Sequence, residues 1–215
     1  MIKYIYKGLP YKPEEGCYGI ASSILATVDK KNILFDTGGY GARKLIFNLI
    51  KDNKIDAVVV SHLHFDHCTN LDLFINTNVP IYISKKEILE YKNNIISDID
   101  LYFPLLNYIS ELNIIELSKE INITNNSRIV FTPGHTLGHI SLAIDNQNDR
   151  IILAGDAIKT YNEYKNIDVC GNAADKKLHI LTKRKIIENY NHIYLGHGGD
   201  IINGEEINRG KMYEF

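Results

Sequence analysis

Within six residues, His62-Leu63-His64-Phe65-Asp66-His67, the chain carries four candidate metal ligands, and they follow directly on the uninterrupted apolar run Ala57-Val58-Val59-Val60. Such a run suits a strand covered on both faces, as in a layered α/β protein. A turn leaving a strand points alternate side chains at a common point. His62 and His64 can then meet one ion while Asp66 and His67 swing towards a neighbour. Imidazole nitrogen and carboxylate oxygen are the donors expected for zinc, and equally for iron or manganese.

The same pattern recurs at three later strand ends. Thr132-Pro133-Gly134-His135 sets His135 on a glycine-flanked turn, Ala154-Gly155-Asp156 ends an apolar strand with a carboxylate, and Gly196-His197-Gly198 ends the last strand with an imidazole. Five histidines and two aspartates suffice for two ions. An aspartate can bridge two metals through its two oxygens, which histidine cannot, and Asp156 is the candidate bridge. His139 is expected to pack or hydrogen-bond within its own loop, His179 to face solvent or serve the structure, and His192 merely to begin a strand. Cys68 follows a turn already filled by four ligands and reads as a small buried residue.

The remaining pattern fits alternating strands and helices. Ser22 to Val28 and Ile33 to Phe35 are expected to pair through the polar turn Asp29-Lys30-Lys31-Asn32, the second strand running into Asp36-Thr37-Gly38-Gly39. Leu45, Ile46, Leu49 and Ile50 recur at helical spacing between Ala42 and Asp52, and a further strand is expected at Val79 to Ile83. Residues 85 to 118 read as a partly helical cap beginning with a helix from Lys85 to Lys92. Strands follow at 129–131, 140–144, 151–154 and 192–195. Asp175 caps a helix reaching about Tyr190, with Leu178, Leu181, Ile186 and Ile187 as its apolar side. No linker or charge run divides the chain, so residues 1–215 are expected to form one domain with two similar β-rich halves facing each other and helices outside.

A chain of 215 residues buries roughly 70% of its unfolded surface and needs no metal merely to hold a core together. A metal cluster in it calls for a functional explanation. Its 24 basic and 26 acidic residues give a net charge of −2, without the excess of Lys and Arg on which phosphate-backbone binding depends. No stretch approaches the roughly 18 apolar residues that span a bilayer, and Met1 to Gly8 lacks the apolar core of a secretory signal. Three scattered cysteines cannot form a complete disulfide framework. The expectation is a cytoplasmic protein with no membrane partner, and the charge balance favours a small molecule over nucleic acid as its partner. A homodimer stays open.

The His62-x-His64-x-Asp66-His67 run, the Pro133-Gly134-His135 turn and the Gly155-Asp156 and Gly196-His197-Gly198 strand ends together resemble the metallo-β-lactamase superfamily of metal-dependent hydrolases. The Phe35-Asp36-Thr37-Gly38 segment extends the resemblance towards the N-terminus. It implies an α/β fold, an αββα sandwich of two mixed β-sheets flanked by helices, with the metals at one edge between the sheets. It also implies that His62, His64 and His135 hold the first metal, that Asp66, His67 and His197 hold the second, and that Asp156 bridges them. Asp36 would orient the histidine loop from behind, as such outer partners do.

Classical zinc β-lactamases lack the bridging aspartate, the di-iron flavoprotein branch has a glutamate where this chain has His64, and the nucleic-acid-processing branches usually carry a large insertion. The Ser61-to-His67 run is similar to that of quorum-quenching lactonases, although Lys159 stands where that branch has a tyrosine; Tyr161 and Tyr164 follow shortly. Short glyoxalase II-like members are similar too. The implied activity is hydrolysis of a small-molecule ester, lactone or thioester by two divalent ions, zinc foremost and iron or manganese as alternatives. Two ions roughly 3.5–4 Å apart lower the pKa of a shared water from about 15.7 to about 7, giving a bridging hydroxide. Asp66 would orient this nucleophile and pass a proton to the leaving group, while Lys159 or Tyr161 would assist the substrate oxygen. The alternatives are a phosphodiesterase or ribonuclease, and a persulfide dioxygenase with a single iron. Residues 85 to 118 and the Glu14 to Tyr18 loop are expected to shape the pocket.

Overall fold

The computed structural model describes residues 1–9, 20–94, 100–146 and 149–207. Strands β1 (Ile2–Tyr6), β2 (Ser23–Val28), β3 (Lys31–Phe35), β4 (Ala57–Val59), β5 (Ile81–Ser84) and β6 (Ile114–Leu117) lie side by side in chain order. The first three are antiparallel, and β3 through β6 are parallel. Parallel neighbours need crossovers, which contain α1 (Arg43–Asp52), the single turn α2 (Phe65–Cys68) and α3 (Lys85–Asn94). The β2–β3 turn is tighter than its four polar residues suggest. Asp29 and Lys30 alone form it, with φ of 48° and 64°, the double left-handed geometry that matches strand twist in a two-residue hairpin.

The second sheet comprises β7 (Ile121–Thr124), β8 (Ser127–Phe131), β9 (Ile140–Asn146), β10 (Asp149–Gly155), β11 (His192–Leu195), β12 (Asp200–Ile202) and β13 (Glu205–Ile207), ordered β13-β12-β11-β10-β9-β8-β7. Only β10 and β11 pair in parallel, and the segment between them carries α4 (Tyr161–Lys165) and α5 (Lys176–Asn189).

Alternation along each strand divides the apolar residues into three layers. Ile24, Ile33, Phe35 and Val59 of the first sheet meet Ile140, Leu142, Ile151 and Leu153 of the second. Their neighbours Leu25, Leu34, Val58 and Val60 turn outward under α1 and α3. On the far side Ala143, Ile152 and Ile193 pack beneath Ile186 of α5. β4 is buried on both faces. The result is two mixed sheets between helical layers.

Several elements depart from the pattern read in the sequence. The segment 85–118 is helical at first but ends in β6, the edge of the first sheet, and β1, β7, β12 and β13 are additional strands. These are short and most of them are partly exposed, so they lack the apolar runs that mark central strands. On α5 the buried side is His179, Thr182, Lys183 and Ile186, while Leu181 is 60% exposed. No helix among the described residues is long and apolar enough to cross a membrane. The Glu14 to Tyr18 loop and Cys17 lie outside the described residues.

The two faces of α5 make a direct comparison. Ile186→Ala is expected to destabilise the protein by about 2–5 kcal/mol through lost burial and the cavity left behind, whereas Leu181→Ala should stay within about 0.5 kcal/mol. Urea unfolding of the two variants would measure the difference.

Candidate metal centre

Every candidate ligand stands just beyond the C-terminal end of a strand. His62, His64, Asp66 and His67 follow β4, His135 follows β8, Asp156 follows β10 and His197 follows β11. The two sheets are joined at this edge by backbone hydrogen bonds from Ile140 to Ser61 at 3.0 Å and from Ser22 to Gly196 at 2.8 Å. A register shift between Leu153 and Gly155, with Gly155 at φ 54°, breaks the β10–β11 ladder just before Asp156. Bulges of this kind re-aim the next side chain. Gly196 lies so close that a Cβ there would fall 2.3 Å from Oδ1 of Asp156.

All seven side chains converge, and none is more than 9% exposed. Nε2 of His135 lies 3.2 Å from Nε2 of His62 and 3.1 Å from Nδ1 of His64. Nε2 of His197 lies 3.4 Å from Asp66 Oδ2, and His67 Nε2 lies 3.8 Å from Asp66 Oδ1. Asp156 stands between these two groups. Its Oδ2 is 3.3 Å from His135 Nε2, while its Oδ1 is 3.3 Å from His67 Nε2 and 3.2 Å from His197 Nε2.

The donor set fits divalent cations. His67 Nε2 and Asp156 Oδ1 are buried without a hydrogen-bond partner among the described residues, a costly arrangement unless a cation satisfies them. Burial also holds His62 and His135 well below the usual histidine pKa, leaving lone pairs rather than protons where the rings meet. Burial disfavours charge on His67 as well, but Asp156, Asp66 and Asp36 outweigh it and hold His67 well above the usual value. A cation arriving here displaces that proton.

A buried polar layer fixes the ring directions. Asp36, at φ 55°, accepts Ser61 N–H at 2.7 Å and Ser61 Oγ–H at 2.8 Å, and lies 2.7 Å from His67 Nδ1. With Nδ1 of His67 donating to that carboxylate, and His62 Nδ1 donating to Ser61 Oγ at 2.9 Å, both Nε2 atoms face inward, that of His62 as a lone pair and that of His67 as one once its proton is displaced.

Further groups behind the cluster are not marked as its neighbours in the sequence. His139 reaches beyond its own loop: its Nε2 accepts the backbone N–H of Asp156 at 3.1 Å, and its Nδ1 donates to Thr132 Oγ1 at 2.8 Å. Thr132 Oγ1 lies 2.7 Å from Ser141 Oγ, which donates to the Ala154 carbonyl. Glu87, buried on α3, accepts Leu63 N–H with one oxygen and Thr136 Oγ–H with the other, tying the His62–His64 turn to the His135 turn. His179 is fully buried and donates from Nε2 to the Ala157 carbonyl at 3.0 Å. No periodicity marks these residues, because each resembles its neighbours until the loops close. Cys68 is buried against the His64 carbonyl. His192 contacts Asp200 at 2.8 Å, outside the cluster.

Lys159 reaches the centre, with Nζ 3.4 Å from Asp156 Oδ2 and 2.5 Å from Asn172 Oδ1. Tyr161 does not. It begins α4, stacks on Tyr164 at 6.0 Å and packs against the apolar cluster beneath α5. A cavity of about 350 Å³ opens against His64 and His135, bounded by Glu90, Asp100, Leu101, Leu137 and Asn172.

The metallo-beta-lactamase superfamily model matches residues 18–197, most of the chain and all seven converging side chains. The chain belongs to that superfamily. It is 30% identical over 190 residues to a probable metallo-hydrolase of Methanocaldococcus jannaschii, covering 84% of this chain and 89% of the relative. A probable metal-dependent hydrolase from Staphylococcus aureus superposes with a TM-score of 0.72 at 19% identity, covering 100% of this chain and 97% of that one. A dizinc quorum-quenching lactonase, solved with the product N-hexanoyl-L-homoserine, superposes with a TM-score of 0.63 at 20% identity, covering 84% and 74%. This member of the superfamily is thus a metallo-β-lactamase-fold hydrolase.

The His139 contact carries a pH signature. Burial pushes His139 down to about 3 from the ordinary 6.5. Below about pH 6.5 the unfolded chain therefore takes up a proton that the folded chain refuses. The stability present above that pH is lost on acidification towards 3 by about 1.4 kcal/mol per unit. In His139→Gln the amide can meet both partners but cannot titrate. Urea unfolding of the metal-free proteins between about pH 6 and pH 4 should show a shallower loss in the variant by that slope.

Proposed function

We propose that this hydrolase is a dinuclear zinc enzyme that cleaves ester, lactone or thioester bonds of small molecules. The observation that carries the reading is the placement of Asp156, whose two oxygens face two separate groups of ligands, His62, His64 and His135 on one side and Asp66, His67 and His197 on the other. The dizinc centre of the superposed lactonase supports the metal assignment by analogy. Two zinc ions held by these residues would supply Lewis acidity and a water nucleophile ionised near neutral pH.

The chain's own residues perform the remaining tasks. Asp66 lies nearer the surface than Asp156 and takes up the nucleophile's proton on a carboxylate oxygen. It then delivers that proton to the leaving oxygen or sulfur. Lys159 Nζ, already beside Asp156 and Asn172, donates a hydrogen bond to the substrate oxygen. Asp36 and Ser61 keep the His62 and His67 rings aimed inward, so no reorganisation is needed as charge develops.

The cavity supports a small substrate. At about 350 Å³ it suits a compact ligand, and its Glu90 and Asp100 boundary gives an RNA or DNA backbone no basic track to follow.

Elemental analysis should find about two zinc ions per chain, and a lactone, ester and thioester panel should show turnover that chelation removes and zinc restores. Asp66→Asn should lower kcat by about 10²–10⁴-fold while leaving the unfolding midpoint near that of the parent. One iron per chain, or turnover of phosphodiesters alone by the zinc-loaded protein, would overturn the reading.

A further inference from the structure

Lys183 on α5 is fully buried, although an ammonium on a surface helix ordinarily reaches water. Its Nζ donates to the Val169 carbonyl and lies 3.9 Å from Oε2 of Glu163, itself 5% exposed. That oxygen accepts the backbone N–H of Lys159 at 3.2 Å. The carbonyl of Lys159 in turn accepts the backbone N–H of His197 at 2.7 Å, and its ammonium lies against Asp156 and Asn172. A line of polar contacts therefore runs from the outer helical layer to two of the converging side chains. Stability alone does not call for it, because well-packed apolar residues of similar volume usually replace a buried ion pair without loss.

We propose that the Glu163–Lys183 pair is a positioning device for the metal centre, holding the Lys159 backbone so that the Lys159 ammonium and His197 meet the ions and substrate in register. The proposal rests on the assignment of Lys159 and His197 to the reacting site. Neither Glu163 nor Lys183 touches the ions or the substrate. Their effect passes through Lys159.

The double variant Glu163→Leu, Lys183→Met separates positioning from packing. It removes the charges together and fills the space with apolar groups, so any fall in Tm should be confined to what the Lys159 N–H and the Val169 carbonyl lose with these partners. Zinc affinity, measured by competition with a chromophoric chelator, should still fall by about 10- to 100-fold, as for other partners behind a metal's ligands, and kcat should fall with it. Parental zinc affinity and kcat in a folded double variant would reduce the pair to packing and overturn the proposal. Glu163→Gln, whose carbonyl can still accept the Lys159 N–H, set against the single variant Glu163→Leu, which cannot, decides the case even if the double variant does not fold. Zinc affinity kept in Glu163→Gln and lowered in Glu163→Leu supports positioning, and equal zinc affinity in the two overturns it. Lys159→Met distinguishes the two levels of inference. If it leaves turnover unchanged, the assignment of Lys159 and this proposal fall together; if it impairs turnover while the double variant does not, this proposal alone falls.

Discussion

Asp156 is a carboxylate at 2% exposure, and the cost of taking that charge out of water organises the edge where the two sheets meet. Burial alone would push its pKa up. His197, His67 and Lys159 outweigh burial and hold it well below the ordinary carboxylate range. The site therefore keeps its negative charge before any cation enters, compensated by protonated neighbours, and His67 and His197 are both raised accordingly. Metal binding replaces that proton charge with a divalent one, which makes affinity pH-dependent and couples it to the stability of the fold.

Holding such a charge in register requires backbone as well as side chains. His139 receives the N–H of Asp156, His179 donates to the carbonyl of Ala157, and Glu163 receives the N–H of Lys159, so the loop after β10 is pinned at three places along four residues. The turn carrying His135 is anchored similarly. Ala174 and Asp175 donate backbone hydrogen bonds to the carbonyls of His135 and Gly134, and Thr182 Oγ donates to that of Pro133 at 2.6 Å. Both loops hang from α5, whose buried side is polar for this reason. The first sheet makes the equivalent tie through Glu87, which spans from Leu63 to Thr136.

How far the sequence discloses this arrangement depends on whether the chemistry is local. His62 to His67 is legible because four candidate ligands share one turn behind a strand buried on both faces. His135, Asp156 and His197 are legible because each ends a strand in a glycine-flanked turn, and central strands advertise themselves by apolar runs. Edge strands such as β6 and β13 do not, since half their residues meet water. Lys183 and Glu163 escape for the converse reason: charged residues on helices normally face solvent, and only the folded chain shows that these two face inward. His179 resembles any helical histidine until α5 closes over Ala157. Leu181 reads as core by hydropathy, yet the helix is rotated so that His179 and Lys183 take the inner positions.

The division between legible and hidden residues matches a division of labour. Direct ligands must present specific donor atoms, so their chemistry constrains the local sequence. Groups behind them need only supply a donor or acceptor at the right place, and the fold can bring that group from any element: from α3 for Glu87, from α4 for Glu163, from α5 for His179. A third set lines the cavity beside His64 and His135, where Glu90, Asp100 and Asn172 come from segments that carry no candidate ligand. One metal centre can thus be kept while the walls change. The carboxylates on this chain's wall set it apart from a groove built for polyanions, and the ligand turns alone would not have told the two apart.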